Sequence, residues 1–431
     1  MSLALPAIHA LEGEVYLPGS KSMSNRALLM AAMAEGDTLV KNLLVSDDTK
    51  VMLAALTKLG VIIVKTDDGT RVTGLGGPLA ADGTEDTELQ LNLGLAGTAI
   101  RPLCAALTLG RGTFTLDGVA RMRERPIGDL IQPLLAMGAN IEYLATPGFP
   151  PIKIQGTGLT GGKLSMRGDT SSQFLTSLLM ACPYADNPTN ILIEGELVSK
   201  PYIDITCNMM SLFGVEVDNE NNRYLSFQVS NQKYQSPGEV LVEGDASSAS
   251  YFLAAGAIAG KGVCVHGIGK DSVQGDVAFT DVITQMGANI QVNENSIEVC
   301  PGTTKLKAID ADLGHITDAA MTVAVLALFA EGTTRIRNIG NWRVKETDRL
   351  AAMSTELRKF GATVIEGEDS LEITPPEKLN PATVATYGDH RMAMGFSLTA
   401  LGTEVTIENP DCVGKTFPDY FEVFKKLSVC S

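Results

Sequence analysis

Apolar and polar positions along the chain fall into two interleaved patterns. In the first, a helix-length stretch ends in an apolar residue and is followed by glycine and a strand-like run: LTKLGVII, LLAMGANIE, MMSLFGVEV, ITQMGANIQV and LRKFGATVI. Their glycines are Gly60, Gly138, Gly214, Gly287 and Gly361, at intervals of 78, 76, 73 and 74 residues. Glycine directly after a helix supplies the left-handed backbone of a C-cap without steric cost, so each predicts a helix end. In the second pattern, small polar residues open an Ala-, Leu- and Met-rich helix: SKSMSNRALLMAAMA, AGTAIRPLCAALTLG, GDTSSQFLTSLLMA, GDASSASYFLAAGA, TDAAMTVAVLALFA and GDHRMAMGFSLTALG. Counted from Ser20, Gly97, Gly168, Gly244, Thr317 and Gly388, the steps are 77, 71, 76, 73 and 71. Six copies of a two-helix unit are implied.

Between the helices lie runs such as Thr113-Phe114-Thr115-Leu116, Asn190-Ile191-Leu192-Ile193 and Gly262-Val263-Cys264-Val265. They are rich in β-formers and bounded by Gly, Asp or Pro, so each unit is mixed α/β. The helices opened by small polar residues are apolar nearly all round, which marks core helices. A period of 71 to 78 residues is too long for a solenoid repeat. With 431 residues and about 100 to 200 per domain, the six units divide into two domains of three. The best break is Glu243-Gly244-Asp245.

Composition narrows the class of function. Hydrophobic residues make up 45% of the chain, enough for real cores. Met1 to Leu17 has no basic n-region and no apolar run near the length of a span, so neither a signal peptide nor a membrane helix is expected and the cytoplasm is the predicted compartment. The seven cysteines, Cys104, Cys182, Cys207, Cys264, Cys300, Cys412 and Cys430, are scattered without a CxxC pair and read as buried thiols in a reducing compartment. His9, His266, His315 and His390 show no metal-ligand spacing, so no metal is expected. A net charge of −16 argues against nucleic acid or an anionic membrane as partner. An anion site must then be a local cluster.

Such clusters sit at helix starts. Only 19% of residues are charged, yet Asn341–Arg349 holds Arg343, Lys345, Glu346, Asp348 and Arg349. Leu350, Met353, Leu357 and Phe360 recur downstream at helical spacing, which predicts that the cluster occupies the first turns of an amphipathic helix with Lys345 and Arg349 on one face. Two cations at a helix N-terminus suit a dianion such as phosphate. The same residues also suit a solvated helix start laced with ion pairs, and Glu346 is either a salt-bridge partner or a poised acid. Leu17–Arg26 brings a Pro-Gly turn, hydroxyls and the cations Lys21 and Arg26 to another helix; it reads as a phosphate cradle or as a serine-capped helix, and lacks Walker A spacing. Arg101 and Arg125, the latter before Pro126, suit an anion site or a solvated face equally. Gly168–Gln173 offers more hydroxyls than capping needs. Ser199-Lys200-Pro201-Tyr202, Thr317-Asp318, Gly388-Asp389-His390-Arg391 and Gly414-Lys415-Thr416 complete the set. Asp318 by itself reads as an N-cap.

LPGSKSMSNR, AGTAIRPL, RERPIGDL, SSQFLT, SKPYIDIT, DAAMT, NWRVKETDRL, DHRMAM and KTFPDYF, in this order, resemble the 5-enolpyruvylshikimate-3-phosphate synthase family, in its bacterial glyphosate-sensitive type, over essentially the whole chain. The resemblance implies a two-domain inside-out α/β fold with three βαβαββ units per domain, the chain crossing between domains twice. It assigns residues 1–20 with 243–431 to one domain and 21–242 to the other. It implies transfer of the enolpyruvyl group of phosphoenolpyruvate to the 5-hydroxyl of shikimate 3-phosphate with release of phosphate, in the shikimate pathway to aromatic amino acids. No cofactor or metal is implied; glyphosate is the implied inhibitor and a monomer the expected state.

Carried over by motif, Lys21, Gly97, Arg125, Gln173, Arg349, Arg391 and Lys415 bind phosphoenolpyruvate. Lys21, Ser22, Arg26, Ser171, Ser172, Gln173, Ser199, Tyr202, Asp318, Asn341 and Lys345 surround shikimate 3-phosphate. Asp318 is the implied base for the hydroxyl, while Glu346 and Lys21 are candidates for proton traffic at the methylene carbon. One position departs: Leu95 stands where LGNAGTA has Asn, which puts affinity at that loop in question. UDP-N-acetylglucosamine enolpyruvyl transferases use a loop cysteine, and residues 111–126 contain none. A non-enzymatic anion-binding protein would need no acid/base residues among the cations.

Overall fold

In the computed structural model, which describes residues 1–80, 88–219, 221, 223–302 and 305–429, the five predicted glycines all terminate helices. Gly60, Gly138, Gly214, Gly287 and Gly361 have φ of +83°, +89°, +79°, +104° and +94°. Each follows the C-cap of a helix: α2 (Asp47–Lys58), α4 (Gly128–Ala136), α6 (Pro201–Leu212), α8 (Phe279–Gln285) and α10 (Arg349–Lys359). These helices bury one face, as their mixed apolar and polar sequences require. The other series is α1 (Lys21–Met33), α3 (Gly97–Leu109), α5 (Ser172–Ala181), α7 (Ala246–Ala259), α9 (Ala320–Leu326) and α11 (His390–Ser397). These are buried nearly all round; α9 and α11 have no exposed position. The last helix, α12 (Tyr420–Leu427), is again amphipathic.

Strands pair in a repeated order. Glu88–Asn92 lies parallel to Gly112–Asp117, which pairs antiparallel with Ile152–Gly156, which in turn pairs antiparallel with Asn140–Tyr143. The sheets built on Thr189–Glu194 and Thr334–Arg337 repeat it. A parallel neighbour needs a crossover, supplied each time by a core helix, and the antiparallel pair closes as a hairpin. Burial alternates along the strands, as in Ile152–Gly156, so one face packs on helices and the other meets solvent.

The chain divides into two compact units, Met1–Pro18 with Glu243–Ser431, and Gly19–Val242. Within the second, Glu239–Leu241 returns to lie parallel to Asp37–Lys41 and supplies the outer strand of the first sheet. Within the first, N-terminal strands complete three sheets: Gly13–Tyr16 lies parallel to Val263–His266, Ser2–Leu5 antiparallel to Val405–Glu408, and Ala10–Leu11 antiparallel to Ser428–Val429. Gly19 and Ser20 belong with Gly19–Val242 rather than with the N-terminal strands. A Cβ on Gly19 would stand 2.0 Å from the Asn42 carbonyl oxygen, so only glycine permits the approach that packs this turn there.

Among the described residues no helix is long and apolar enough to cross a membrane. The cysteines are not uniformly buried, contrary to the sequence reading. Cys104 and Cys182 are, but Cys207, Cys264, Cys300 and Cys412 are half-buried; all six are free thiols, and Cys430 lies outside the described residues. Cys264 is half-exposed because it takes an outward-facing position in a strand whose neighbours Val263 and Val265 face the core.

Candidate active site

The charged run Asn341–Arg349 is not one helix. Gly340–Val344 forms a 3-10 turn, Lys345 is extended, and α10 begins only at Arg349, because Asp348 takes the N-cap position and accepts from the Ala351 N–H at 3.1 Å. Lys345 therefore precedes the helix and does not share a helical face with Arg349. The indole of Trp342, fully buried, donates to the Thr317 carbonyl at 2.7 Å and fastens this turn to the loop that carries Asp318.

Arg349, 1% exposed, is the hub of the resulting cluster. Its Nε donates to Asp389 Oδ2 at 2.8 Å, Nη1 to Asp318 Oδ1 at 2.9 Å and Nη2 to Glu346 Oε2 at 3.0 Å. Asp389 also caps α11, accepting from the Arg391 N–H at 2.9 Å. The Arg391 side chain reaches Asp318 Oδ2 at 2.8 Å, Lys415 reaches Glu346 Oε1 at 3.2 Å, and Lys345 stands 4.0 Å from Asp318. Four cations thus interlock with three carboxylates. Asp318 is not an N-cap: α9 starts after Ala319 without a side-chain cap. Burial works against its charge, but Arg391, Lys345 and Arg349 outweigh burial and hold its carboxyl well below the usual range. Asn341 lies on the same turn as Trp342.

A second constellation lies within Gly19–Val242. Ser20 precedes α1 without capping it, so the serine-cap reading does not hold. Lys21 is buried and pairs with Asp48 at 3.7 Å. Ser22 is half-buried one residue on. Arg26 faces inward: its guanidinium donates to Thr206 Oγ1 at 2.9 Å, the Ser22 carbonyl at 2.9 Å, Thr176 Oγ1 at 3.1 Å and the Tyr202 carbonyl at 3.2 Å. Its burial lowers its basicity to about 10. Arg26 thereby ties together α1, α5 and α6, whose starts carry Ser22, Ser172 and Tyr202. Ser171 caps α5 by accepting from the Gln173 N–H, which leaves Ser172, buried on the first turn, outside the capping role. Ser199, just before α6, adopts φ of +53°, a left-handed conformation costly for a non-glycine residue.

Gly97 opens α3 in the midst of side-chain ends. A Cβ there would meet Arg101 Nη1 at 2.6 Å, Gln173 Oε1 at 3.0 Å and Arg125 Nη1 at 3.2 Å. Arg101 donates to the Gln173 amide oxygen and, at 3.0 Å, to the Pro126 carbonyl, and its guanidinium lies 5.3 Å from the Phe174 ring centre. Arg125, 4% exposed, donates at 3.3 Å to the carbonyl of half-buried Leu95. The departure at Leu95 thus removes a polar side chain while its backbone still anchors Arg125. The sequence flags Arg101 and Asp389 among its polar helix starts but not Asp48, which pairs with Lys21 across the fold and has no local signal.

Residues 5–424 match the family described as EPSP synthase (3-phosphoshikimate 1-carboxyvinyltransferase). The chain belongs to the EPSP synthase family. It is 58% identical over 430 residues to the 3-phosphoshikimate 1-carboxyvinyltransferase of Shewanella halifaxensis, with 99% of each chain covered, and 58% identical over 429 residues to that of Psychromonas ingrahamii. Among solved structures, EPSP synthase from Acinetobacter baumannii is 26% identical with a TM-score of 0.82, covering 100% of this chain and 98% of that one. The enolpyruvyl transferase NikO from Streptomyces tendae, 18% identical with a TM-score of 0.77, shares the fold. Family membership therefore extends over both constellations.

Proposed function

We propose that this chain is a 3-phosphoshikimate 1-carboxyvinyltransferase, transferring the enolpyruvyl group of phosphoenolpyruvate to the 5-hydroxyl of shikimate 3-phosphate and releasing phosphate. What carries the reading is family membership across residues 5–424, together with acid/base carboxyls set among cations rather than cations alone. Both substrates are polyanions. To phosphoenolpyruvate we assign Lys21, Gly97, Arg125, Gln173, Arg349, Arg391 and Lys415. To shikimate 3-phosphate we assign Lys21, Ser22, Ser171, Ser172, Gln173, Ser199, Tyr202, Asp318, Asn341 and Lys345. Arg26, with its guanidinium engaged by protein oxygens, acts by holding Ser22 and the start of α6 in place.

The reaction needs a base for the hydroxyl and an acid for the methylene carbon. Asp318 serves as the base. Held ionised by Arg391, Lys345 and Arg349, it is a weak acceptor until a substrate anion takes over part of the attention of Arg391, which raises its proton affinity. Glu346 and Lys21 serve the methylene carbon. Addition protonates the methylene carbon to a methyl and gives a tetrahedral ketal; a proton is then removed from that methyl, the carbon–carbon double bond re-forms as the bond to phosphate breaks, and phosphate leaves toward the cations that stabilise its developing charge. In the absence of substrate the carboxylates keep those cations aimed; substrate anions then replace carboxylate contacts instead of building new ones. Phosphate release from phosphoenolpyruvate, dependent on shikimate 3-phosphate and persisting in chelator, is the expected result. Release supported equally by UDP-N-acetylglucosamine, or binding without release, would overturn the assignment.

The finer reading is a bacterial, glyphosate-sensitive enzyme, monomeric and cytoplasmic. Gly97 supports sensitivity, since the space beside it is bounded by Arg101, Gln173 and Arg125 and nothing larger than hydrogen occupies it. Free thiols at the six described cysteines support a reducing compartment.

A further inference from the structure

Asp276 is a buried carboxyl near the Asp318 cluster that takes no part in the proposed mechanism. It lies on the 3-10 turn Gly275–Ala278 leading into α8 and is 6% exposed. Ser247, on the first turn of α7 and equally buried, donates its hydroxyl to Asp276 Oδ2. α7 also carries Tyr251, whose hydroxyl meets Arg391 Nη1 at 3.4 Å, so one helix touches both Asp276 and the guanidinium that pairs with Asp318. Ser247 and Tyr251 lie one helical turn apart on α7, which places Asp276 near Arg391; the charges that act on Asp276 are those of Asp318 on its loop, Arg391 on α11 and Asp245 at the cap of α7. Asp281 on α8 is exposed, and Glu243 is occupied by the Gln274 amide at 2.9 Å.

We infer that Asp276 is a positioning residue that sets the Asp318–Arg391 pair through its own charge. Neutral, it leaves Arg391 to Asp318 and to the substrate anion. Ionised, it competes with both for the guanidinium and adds a negative charge beside the anion site. Burial, followed by the charge of Asp318, pushes its carboxyl up to about 7, against the opposing effects of Arg391 and the Ser247 hydrogen bond. The switch between the two states therefore falls near neutral pH, where the enzyme has to hold phosphoenolpyruvate.

This rests on the proposed transferase function, so the test has one arm with turnover and one without. In the first, Michaelis constants for phosphoenolpyruvate are measured from pH 6 to 9 for the wild type and Asp276→Asn. The ratio of wild type to variant should climb on the order of tenfold as pH rises through about 7. Ionisation of the substrate's own phosphate is common to both proteins and cancels in the ratio. In the second arm, melting temperatures of wild type, Asp276→Asn and Asp318→Asn are followed against pH. A carboxyl whose folded value is raised takes up protons on folding, so the wild type should lose stability relative to Asp276→Asn as pH climbs from the ordinary aspartate range to about 7. The end of that loss should move to lower pH in Asp318→Asn, which removes the charge that raises it. Should Asp276→Asn fail to fold, Ser247→Ala replaces it and should move the kinetic limb upward, since the lost hydrogen bond favoured the ionised form. Profiles of the variants parallel to the wild type in both arms overturn the inference. A wild type without turnover overturns only the transferase reading, and the melting arm still decides Asp276.

Discussion

Arg349 contacts Asp318, Glu346 and Asp389 at once, so none of these three carboxyls can be altered without disturbing the others' common partner. If Asp318 and Glu346 move protons, Asp318→Asn and Glu346→Gln should each lower turnover on the order of 10²-fold or more, with modest change in substrate binding. Isosteric amides keep the shape of the cluster, so turnover near that of the wild type would reduce both to ion-pair roles. Gly97 gives a second test. An added methyl must push aside the ends of Arg101, Gln173 and Arg125, and crowding of this kind typically costs about 1 to 3 kcal/mol. Glyphosate, longer than phosphoenolpyruvate, should lose roughly ten- to hundredfold in affinity in Gly97→Ala, more than the Michaelis constant rises. Inhibition constants for wild type, Gly97→Ala and Leu95→Asn decide between the two residues. An insensitive wild type made sensitive by Leu95→Asn would assign control to Leu95.

At the scale of the element, what the sequence discloses depends on whether the signal is local. The five glycines were legible because a left-handed C-cap is written in one residue and its apolar neighbour. Gly214 tests the point: the space beside it is open, with Gln235 Cβ the nearest atom at 3.9 Å, so Gly214→Ala carries the conformational cost alone. A loss of about 1 to 2 kcal/mol is expected in denaturant unfolding, with Gly214→Asn costing less; equal stability of all three would refute the cap. The start of α10 was misjudged because Leu350, Met353, Leu357 and Phe360 have the same spacing whether the helix begins at Asn341 or Arg349. Asp348, an N-cap residue one position before the end of the run, marks the start. At Arg26 the sequence shows only a cation near a helix start, which looks the same whether it faces a phosphate or the four protein oxygens to which its guanidinium donates. Asp48 and Asp276 lie outside the flagged motifs and were found only once distant segments were brought together.

At the scale of the whole molecule, strand exchange along the chain makes the two compact units unequal as folding units. Gly19–Val242 is continuous and contains every strand of its sheets, the outermost supplied by its own Glu239–Leu241. The other unit is not: Glu243–Ser431 alone lacks Ser2–Leu5, Ala10–Leu11 and Gly13–Tyr16. Without Gly13–Tyr16, the sheet on Val263–His266 loses its parallel edge and buried Val15 leaves the core; without Ala10–Leu11, which pairs antiparallel with Ser428–Val429, fully buried Leu11 leaves it too. Without Ser2–Leu5, the sheet of Val405–Glu408 keeps only Ala382–Val384, and a two-stranded sheet is marginal in water. A fragment spanning 19–242 should therefore melt cooperatively with native-like circular dichroism, whereas one spanning 243–431 should show expanded dimensions and no cooperative transition. Because the missing part is a defined set of three short strands rather than a diffuse interface, adding a peptide of residues 1–18 should restore a cooperative melt to 243–431 in a concentration-dependent way. Peptides carrying Leu11→Asp or Val15→Asp, which would bury an unpaired charge, should not. A 243–431 fragment that folds unaided would mean that the N-terminal strands decorate this unit rather than complete it.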